Sequence, residues 1–222
     1  MTDRRRVSGG SPTWQAARRC LVQQAQYAIE AGVDYLQVRE RDLEAGELGT
    51  LVQEFVALAT GTATRVIVND RLDVALSCGA AGVHLRGDSV PAAAARRMVP
   101  PGFLVGASVH RMAEALTVSR DVDYLIAGTV WPTSSKPSAP ADTLLGVDGL
   151  ARIAAAVDVP VLAIGGVTTD RVTTIAQTGA AGVAAISLFL SESPNRDGCR
   201  ALPLRDAVKA ARAAFDTPRS GS

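Results

Sequence analysis

Gly179-Ala180-Ala181-Gly182-Val183-Ala184-Ala185-Ile186-Ser187 ends one kind of backbone and begins another. A glycine closes a helical stretch, two alanines turn the chain, and a short aliphatic run follows with a hydroxyl at its end. Glycine at a helix C-cap takes the left-handed conformation at low cost. The same grammar recurs at Gly79-Ala80-Ala81-Gly82-Val83-His84-Leu85 and at Ala31-Gly32-Val33-Asp34-Tyr35-Leu36-Gln37-Val38. Similar aliphatic runs stand at Val66-Ile67-Val68, Phe103-Leu104-Val105-Gly106, Asp123-Tyr124-Leu125-Ile126 and Val161-Leu162-Ala163-Ile164. None alternates strictly between apolar and polar residues, which is the mark of strands buried on both faces of a parallel sheet. Between them lie stretches such as Leu48 to Ala59 and Val147 to Val157, with apolar residues three and four apart, which reads as amphipathic helix.

Alternation of this kind predicts an α/β fold, a (β/α)8 TIM barrel in a single domain spanning residues 1–222. The length suits one undivided barrel. Seven strands are legible where a closed barrel has eight. The shortfall lies at the N-terminus: Met1 to Arg6 is no strand and Ser8 to Pro12 reads as loop, so the first strand is expected to be missing or altered. Residues 1–12 and 217–222 are expected to be flexible, and Pro203 to Phe215 to form a last helix.

With 47% apolar and 20% charged residues, the composition is that of an ordinary globular protein. A net charge of +1 gives no basic field for nucleic acid. No apolar run approaches the roughly 20 residues needed to span a bilayer, and the arginines near the N-terminus precede no apolar stretch of the signal-peptide kind. The three cysteines, Cys20, Cys78 and Cys199, are far apart and odd in number. They form neither a metal site nor a disulfide framework, and are expected to be free thiols in a reducing cytoplasm.

Polar residues at the C-terminal ends of barrel strands build active sites. Those ends carry Gln37, Arg39 and Arg41; Asn69 and Asp70; His84, Arg86 and Asp88; Ser108 and His110; Thr129, Thr133, Ser135 and Lys136; Gly165 and Gly166; and Ser187. Cations, hydroxyls, carboxylates and glycines together suit phosphate groups accompanied by Mg²⁺. Gly165-Gly166 followed by Val167-Thr168-Thr169-Asp170, with Ser187 after the next strand, fits a phosphate held by bare backbone N–H groups. Thr133 to Pro137 is either a phosphate loop or a surface turn. Asp70 serves a metal or phosphate, or else caps the following helix. His84 and His110 are either packed residues or catalysts.

The segments Leu36-Gln37-Val38-Arg39-Glu40-Arg41-Asp42-Leu43, Val68-Asn69-Asp70-Arg71-Leu72-Asp73-Val74-Ala75, Gly106-Ala107-Ser108-Val109-His110, Trp131-Pro132-Thr133-Ser134-Ser135-Lys136 and Ala163-Ile164-Gly165-Gly166-Val167 together resemble the thiamine phosphate synthase superfamily, which includes the thiazole tautomerases. Gly82-Val83-His84-Leu85 belongs to the same set, and the resemblance runs from Ala31 to about Leu190. It implies a transferase that joins hydroxymethylpyrimidine diphosphate to thiazole phosphate and releases pyrophosphate. It also implies Mg²⁺ as cofactor, held by Asp70 and Asp88. Gln37, Arg39, Asn69 and Lys136 would hold the diphosphate with Ser108 nearby, Arg41 would also bind substrate, and Arg39, Lys136 and Ser108 would be catalytic. Thr133, Ser135, Gly165, Gly166, Ile186 and Ser187 would hold the thiazole phosphate. The implied partners are small phosphorylated substrates, with no nucleic acid and no membrane; the implied setting is cytoplasmic, and the chain is a possible homo-oligomer.

Three positions depart from the synthase pattern. Arg41 stands for a lysine, Ser89 stands where a second metal-binding aspartate is usual (with Asp88 one position early), and Ser108-Val109-His110 is nearer the tautomerase pattern. Thr129 in turn replaces a tautomerase histidine. The alternatives carried forward are a thiazole tautomerase-like isomerase and a non-catalytic thiamine-phosphate-binding barrel.

Overall fold

The computed structural model describes residues 1–9, 13–133, 144–202 and 204–216. Seven parallel strands appear in sequence order: β1 (Tyr35–Val38), β2 (Arg65–Asn69), β3 (Gly82–Leu85), β4 (Leu104–Val109), β5 (Tyr124–Gly128), β6 (Val161–Ile164) and β7 (Gly182–Ala184). The helices are α1 (Arg4–Val7), α2 (Trp14–Glu30), α3 (Ala45–Ala59), α4 (Leu72–Ser77), α5 (Ala92–Met98), α6 (Met112–Val118), α7 (Gly146–Ala156), α8 (Val172–Gln177) and α9 (Arg205–Asp216). The fold is thus α/β of the TIM-barrel class. All seven expected strands are present, shifted at most three residues at their ends. Among the described residues no strand precedes β1.

The chain divides into two compact units, Met1–His84 with Ile186–Lys209, and Leu85–Ala185 with the residues from Ala210 onward. In the first, β1 pairs with β2 (Gln37 opposite Ile67) and β2 with β3 (Asn69 opposite His84). Helix α3 shows why it forms: Leu48, Leu51, Val52, Phe55 and Ala59 recur at three- and four-residue spacing and all are buried. In the second, β4 pairs with β5, β5 with β6 and β6 with β7, which places Gly128 opposite Ile164 and Ile164 opposite Ala184. β1 to β5 are buried along most of their length, as runs without alternation require, whereas β6 alternates buried and half-buried residues and β7 is half-buried.

The N-terminal segment is packed. Thr2 is 2% exposed and Val7 fully buried. The Thr2 amide donates to the Gln37 carbonyl (2.8 Å), and the Arg39 amide donates to the Thr2 hydroxyl (2.8 Å). Helix α1 is capped by Asp3, whose carboxylate accepts from the Arg6 amide. Gly10–Pro12 and residues 217–222 lie outside the described residues.

The expectation of three free thiols is corrected. Cys20 on α2 is bonded to Cys199, 179 residues away, and only Cys78 is a thiol. Spacing along the chain could not reveal this, because the pair is created by tertiary packing. The segment after β7 is laid against α2 by Gln24 Nε2 donating to the Phe189 carbonyl (3.2 Å) and by Asn195 Nδ2 donating to Gln23 Oε1 (3.1 Å). The Arg200 amide also donates to the Val7 carbonyl (2.6 Å). These contacts bring the two Cα atoms to 5.2 Å, within the span a disulfide bridges.

A crosslink over so long a loop restricts the unfolded chain strongly. Cys199→Ser is expected to lower unfolding free energy by about 2–5 kcal/mol, read by urea titration. Dithiothreitol should destabilise the parent chain similarly and leave Cys199→Ser unchanged; equal sensitivity of both to the reductant contradicts the crosslink.

Candidate functional site

Gln37 lies one residue before the end of β1. It is 6% exposed, and among the described residues neither its Nε2 nor its Oε1 has a hydrogen-bond partner. Burying an amide without partners costs free energy. Arg39, two residues on, is half-buried and its backbone is held by Thr2. Arg41 is exposed.

Two carboxylates flank Arg41 in sequence, and Arg4 engages both. The Arg4 amide donates to the two oxygens of Glu40 (3.1 and 3.2 Å), and its guanidinium reaches Glu40 Oε2 (3.3 Å). Arg4 Nη2 donates to Asp42 Oδ2 (2.7 Å), and Arg5 Nη2 shares that oxygen. Glu40 is 5% exposed, and burial pushes its carboxyl above the ordinary value, opposed by its bonds to Thr2 and Arg4. The bonds from Arg4 hold Asp42 well below the carboxylate range. Arg4 and Arg5 thus bring two further positive charges against the acids that flank Arg41. Composition gave no sign of this arrangement, since the partners are 36 or more residues apart.

At the end of β2, Asn69 is buried and Asp70 half-buried. Asp70 has φ +67°, the one described residue other than glycine in the left-handed region. Its amide donates to the His84 carbonyl (2.9 Å). Such a backbone costs on the order of 1 kcal/mol for a residue with a Cβ, and such residues concentrate at functional sites. The N-cap position of α4 is Arg71, whose side chain makes no cap bond. His84 on β3 is 1% exposed, and burial pushes its imidazole down to about 3. It is therefore a neutral, packed residue near neutral pH.

In the second unit, Asp88 is exposed and paired with Arg86, whose Nε donates to Asp88 Oδ1 (2.9 Å). Ser89 accepts from the Arg86 amide through its hydroxyl (2.7 Å). Ser108 is half-buried in β4. His110 is exposed; its ring Nδ1 faces the Gly128 carbonyl at hydrogen-bonding distance, and its amide donates to Glu114 Oε2 (2.7 Å).

The loops leaving β5 and β6 are joined. The Val130 amide donates to the Ile164 carbonyl (2.9 Å) and the Trp131 amide to the Gly165 carbonyl (3.2 Å). Gly165 and Gly166 have φ +100° and +66°. A Cβ on Gly165 would run into the Thr129 side chain, and one on Gly166 would lie 2.6 Å from Trp131 Cβ. Only bare backbone fits here. Arg171 stacks on the Trp131 ring (4.8 Å to the centroid) and donates from Nη1 to the Gly166 carbonyl (2.7 Å). Residue spacing gave no signal for that clamp either. Thr133 is half-buried at the end of this loop; Ser135 and Lys136 lie outside the described residues. Ile186 is half-buried and Ser187 exposed at the start of a single tight turn, in which the Phe189 amide donates to the Ile186 carbonyl.

As for a metal, no group of three or more His, Cys, Asp or Glu side chains among the described residues could hold an ion. The two carboxylates named above for Mg²⁺ stand apart in their surroundings: Asp70 is half-buried, and Asp88 is exposed and paired with Arg86.

Residues 11–189 match the family described as thiamine monophosphate synthase. A thiamine-phosphate synthase of Methanoculleus marisnigri is 39% identical over 190 residues, covering 85% of this chain and 88% of that protein. One from Methanoregula boonei is 41% identical over 169 residues, 76% of this chain and 77% of its own. Among solved structures, thiamine phosphate pyrophosphorylase from Pyrococcus furiosus aligns with a TM-score of 0.74 at 31% identity, covering 88% of this chain and 89% of that one. The likeness to 3-hexulose-6-phosphate synthase, TM-score 0.61 at 17% identity, shows the fold alone.

The buried His84 sets a pH dependence. An unfolded histidine titrates near 6.5, so below that pH the unfolded chain takes up a proton that the folded chain refuses. Stability from this group is complete above about 6.5 and is lost as pH falls toward 3. Glu40 acts in the opposite sense, losing stability as pH rises through its elevated folded value. Comparing the parent with His84→Gln separates the two. Between pH 7 and 5 the parent should lose about 2 kcal/mol more than the variant in urea unfolding; identical losses contradict a neutral His84.

Proposed function

The chain belongs to the thiamine monophosphate synthase family, and on that premise we propose how its own residues divide the work. It is a transferase, joining hydroxymethylpyrimidine diphosphate to thiazole phosphate with release of pyrophosphate. In our reading Gln37, Arg39, Arg41, Asn69 and Lys136 hold the diphosphate, with Ser108 beside it. Thr133, Ser135, Gly165, Gly166, Ile186 and Ser187 hold the thiazole phosphate. The observation that carries the reading is the buried amide of Gln37 near the end of β1, without a hydrogen-bond partner among the described residues. A diphosphate oxygen is an acceptor for its Nε2–H.

The bond between the pyrimidine methylene carbon and the diphosphate oxygen breaks first, its electron pair leaving with the diphosphate. The cation that remains is stabilised by the pyrimidine ring, and the thiazole nitrogen closes the new C–N bond with its own lone pair. No proton has to leave that nitrogen, so no general base is required. What the protein supplies is position and compensation of leaving-group charge. Arg39, Arg41, Lys136 and the Gln37 amide act on the departing diphosphate, while Arg4 keeps Glu40 and Asp42 from opposing them. Asp70, with Asp88 as a second carboxylate, would hold Mg²⁺, which when bound adds positive charge to the diphosphate oxygens. We extend the proposal to a cytoplasmic setting and to small phosphorylated molecules as the sole substrates. Among the described residues no helix is long and apolar enough to cross a membrane.

Purified protein given pyrimidine diphosphate, thiazole phosphate and Mg²⁺ should release pyrophosphate. Gln37→Ala and Asp70→Ala should each slow release about a hundredfold or more, and chelation should stop it. Release that survives chelation and Asp70→Ala contradicts the metal assignment. Exchange at the thiazole ring without pyrophosphate release contradicts the synthase reading altogether.

A further inference from the structure

We propose that Arg171 is a positioning residue for the monophosphate half of the site, clamping the loops after β5 and β6 in the form that receives the thiazole phosphate. The inference rests on the reading above that Gly165, Gly166 and Thr133 hold that phosphate. Arg171 lies just beyond the loop, in the turn that opens α8, and reaches back to it twice. Its Nη1 donates to the Gly166 carbonyl (2.7 Å) and its guanidinium lies over the Trp131 ring, 4.8 Å from the centroid. One cation therefore ties the β6 loop to the β5 loop, beside the backbone bonds from Val130 and Trp131.

The carbonyl bond has a directional consequence. In a planar trans peptide the carbonyl and the following N–H point opposite ways. Drawing the Gly166 oxygen onto Arg171 therefore fixes the Val167 N–H in the reverse direction. It also turns a partial negative charge toward a cation rather than leaving the peptide free to rotate. Gly166, with no Cβ and φ +66°, could otherwise swing that peptide plane at little cost. The stack on Trp131 does the equivalent for the loop that runs on to Thr133. A guanidinium can stack and donate at once, whereas an ammonium is a point charge without a planar face.

The test is steady-state kinetics of pyrophosphate release with each substrate varied at saturating levels of the other. Arg171→Ala should raise KM for thiazole phosphate about tenfold or more while KM for the pyrimidine diphosphate stays unchanged. Arg171→Lys should recover little of the loss, since it restores charge but not the stack. Gly166→Ala serves as the reference for the phosphate reading itself. An unchanged thiazole phosphate KM in Arg171→Ala, with a raised one in Gly166→Ala, overturns the role of Arg171 and leaves the phosphate site standing. No change in Gly166→Ala overturns the phosphate site. A rise in both KM values, or a fall in kcat alone, marks Arg171 as a general structural residue and also overturns the proposal. If Arg171→Ala fails to fold by circular dichroism, Arg171→Lys alone decides, with a normal thiazole phosphate KM as the contradicting result.

Discussion

Two loops approach each other in the second unit more closely than any side chain on the intervening residues permits. The chain leaving β5 and the chain leaving β6 share hydrogen bonds through Val130 and Trp131, and the space between them admits only Gly165 and Gly166. That constraint is set by the sheet itself: Gly128 stands opposite Ile164, so both loops depart from paired strand ends. Bare backbone at a strand end is what an anion needs, because N–H groups are then reachable without a Cβ in the way. Arg171 adds a further tie, donating to the Gly166 carbonyl.

In the first unit the governing problem is charge. Residues 39–42 read Arg-Glu-Arg-Asp and sum to zero, which is a poor surface for a diphosphate. Folding changes the sum, because Arg4 and Arg5 arrive from the N-terminal segment and take up Glu40 and Asp42. The same segment fixes the backbone of Gln37 and Arg39 through Thr2. The diphosphate site proposed above would therefore depend on the N-terminal segment as well as on the strand ends.

The strands were legible because a strand buried on both faces leaves a continuous aliphatic run, and this chain punctuates those runs with glycine. Gly32, Gly79 and Gly179 all take the positive φ their position before a strand implied. Gly165 and Gly166 were legible for a related reason, as paired glycines at a strand end. What local pattern cannot carry is a partner far along the chain. The Cys20–Cys199 bond spans 179 residues, Arg4 meets Glu40 and Asp42 across 36 and 38, and Arg171 meets Trp131 across 40. The histidines show a second limit. His84 and His110 read alike at strand ends, yet one is sealed in the core and the other exposed. The difference is a matter of packing around each strand, which no neighbouring residue announces. Asp70 is intermediate: its identity marked it for attention, while its left-handed backbone belongs to the fold.

A crystal structure of the protein with thiazole phosphate bound tests the central claim most directly. The account predicts the phosphate against the backbone N–H groups around Gly165 and Gly166, with the Gly166 carbonyl still held by Arg171. A phosphate bound elsewhere, with the Gly165–Gly166 loop bare, would contradict it.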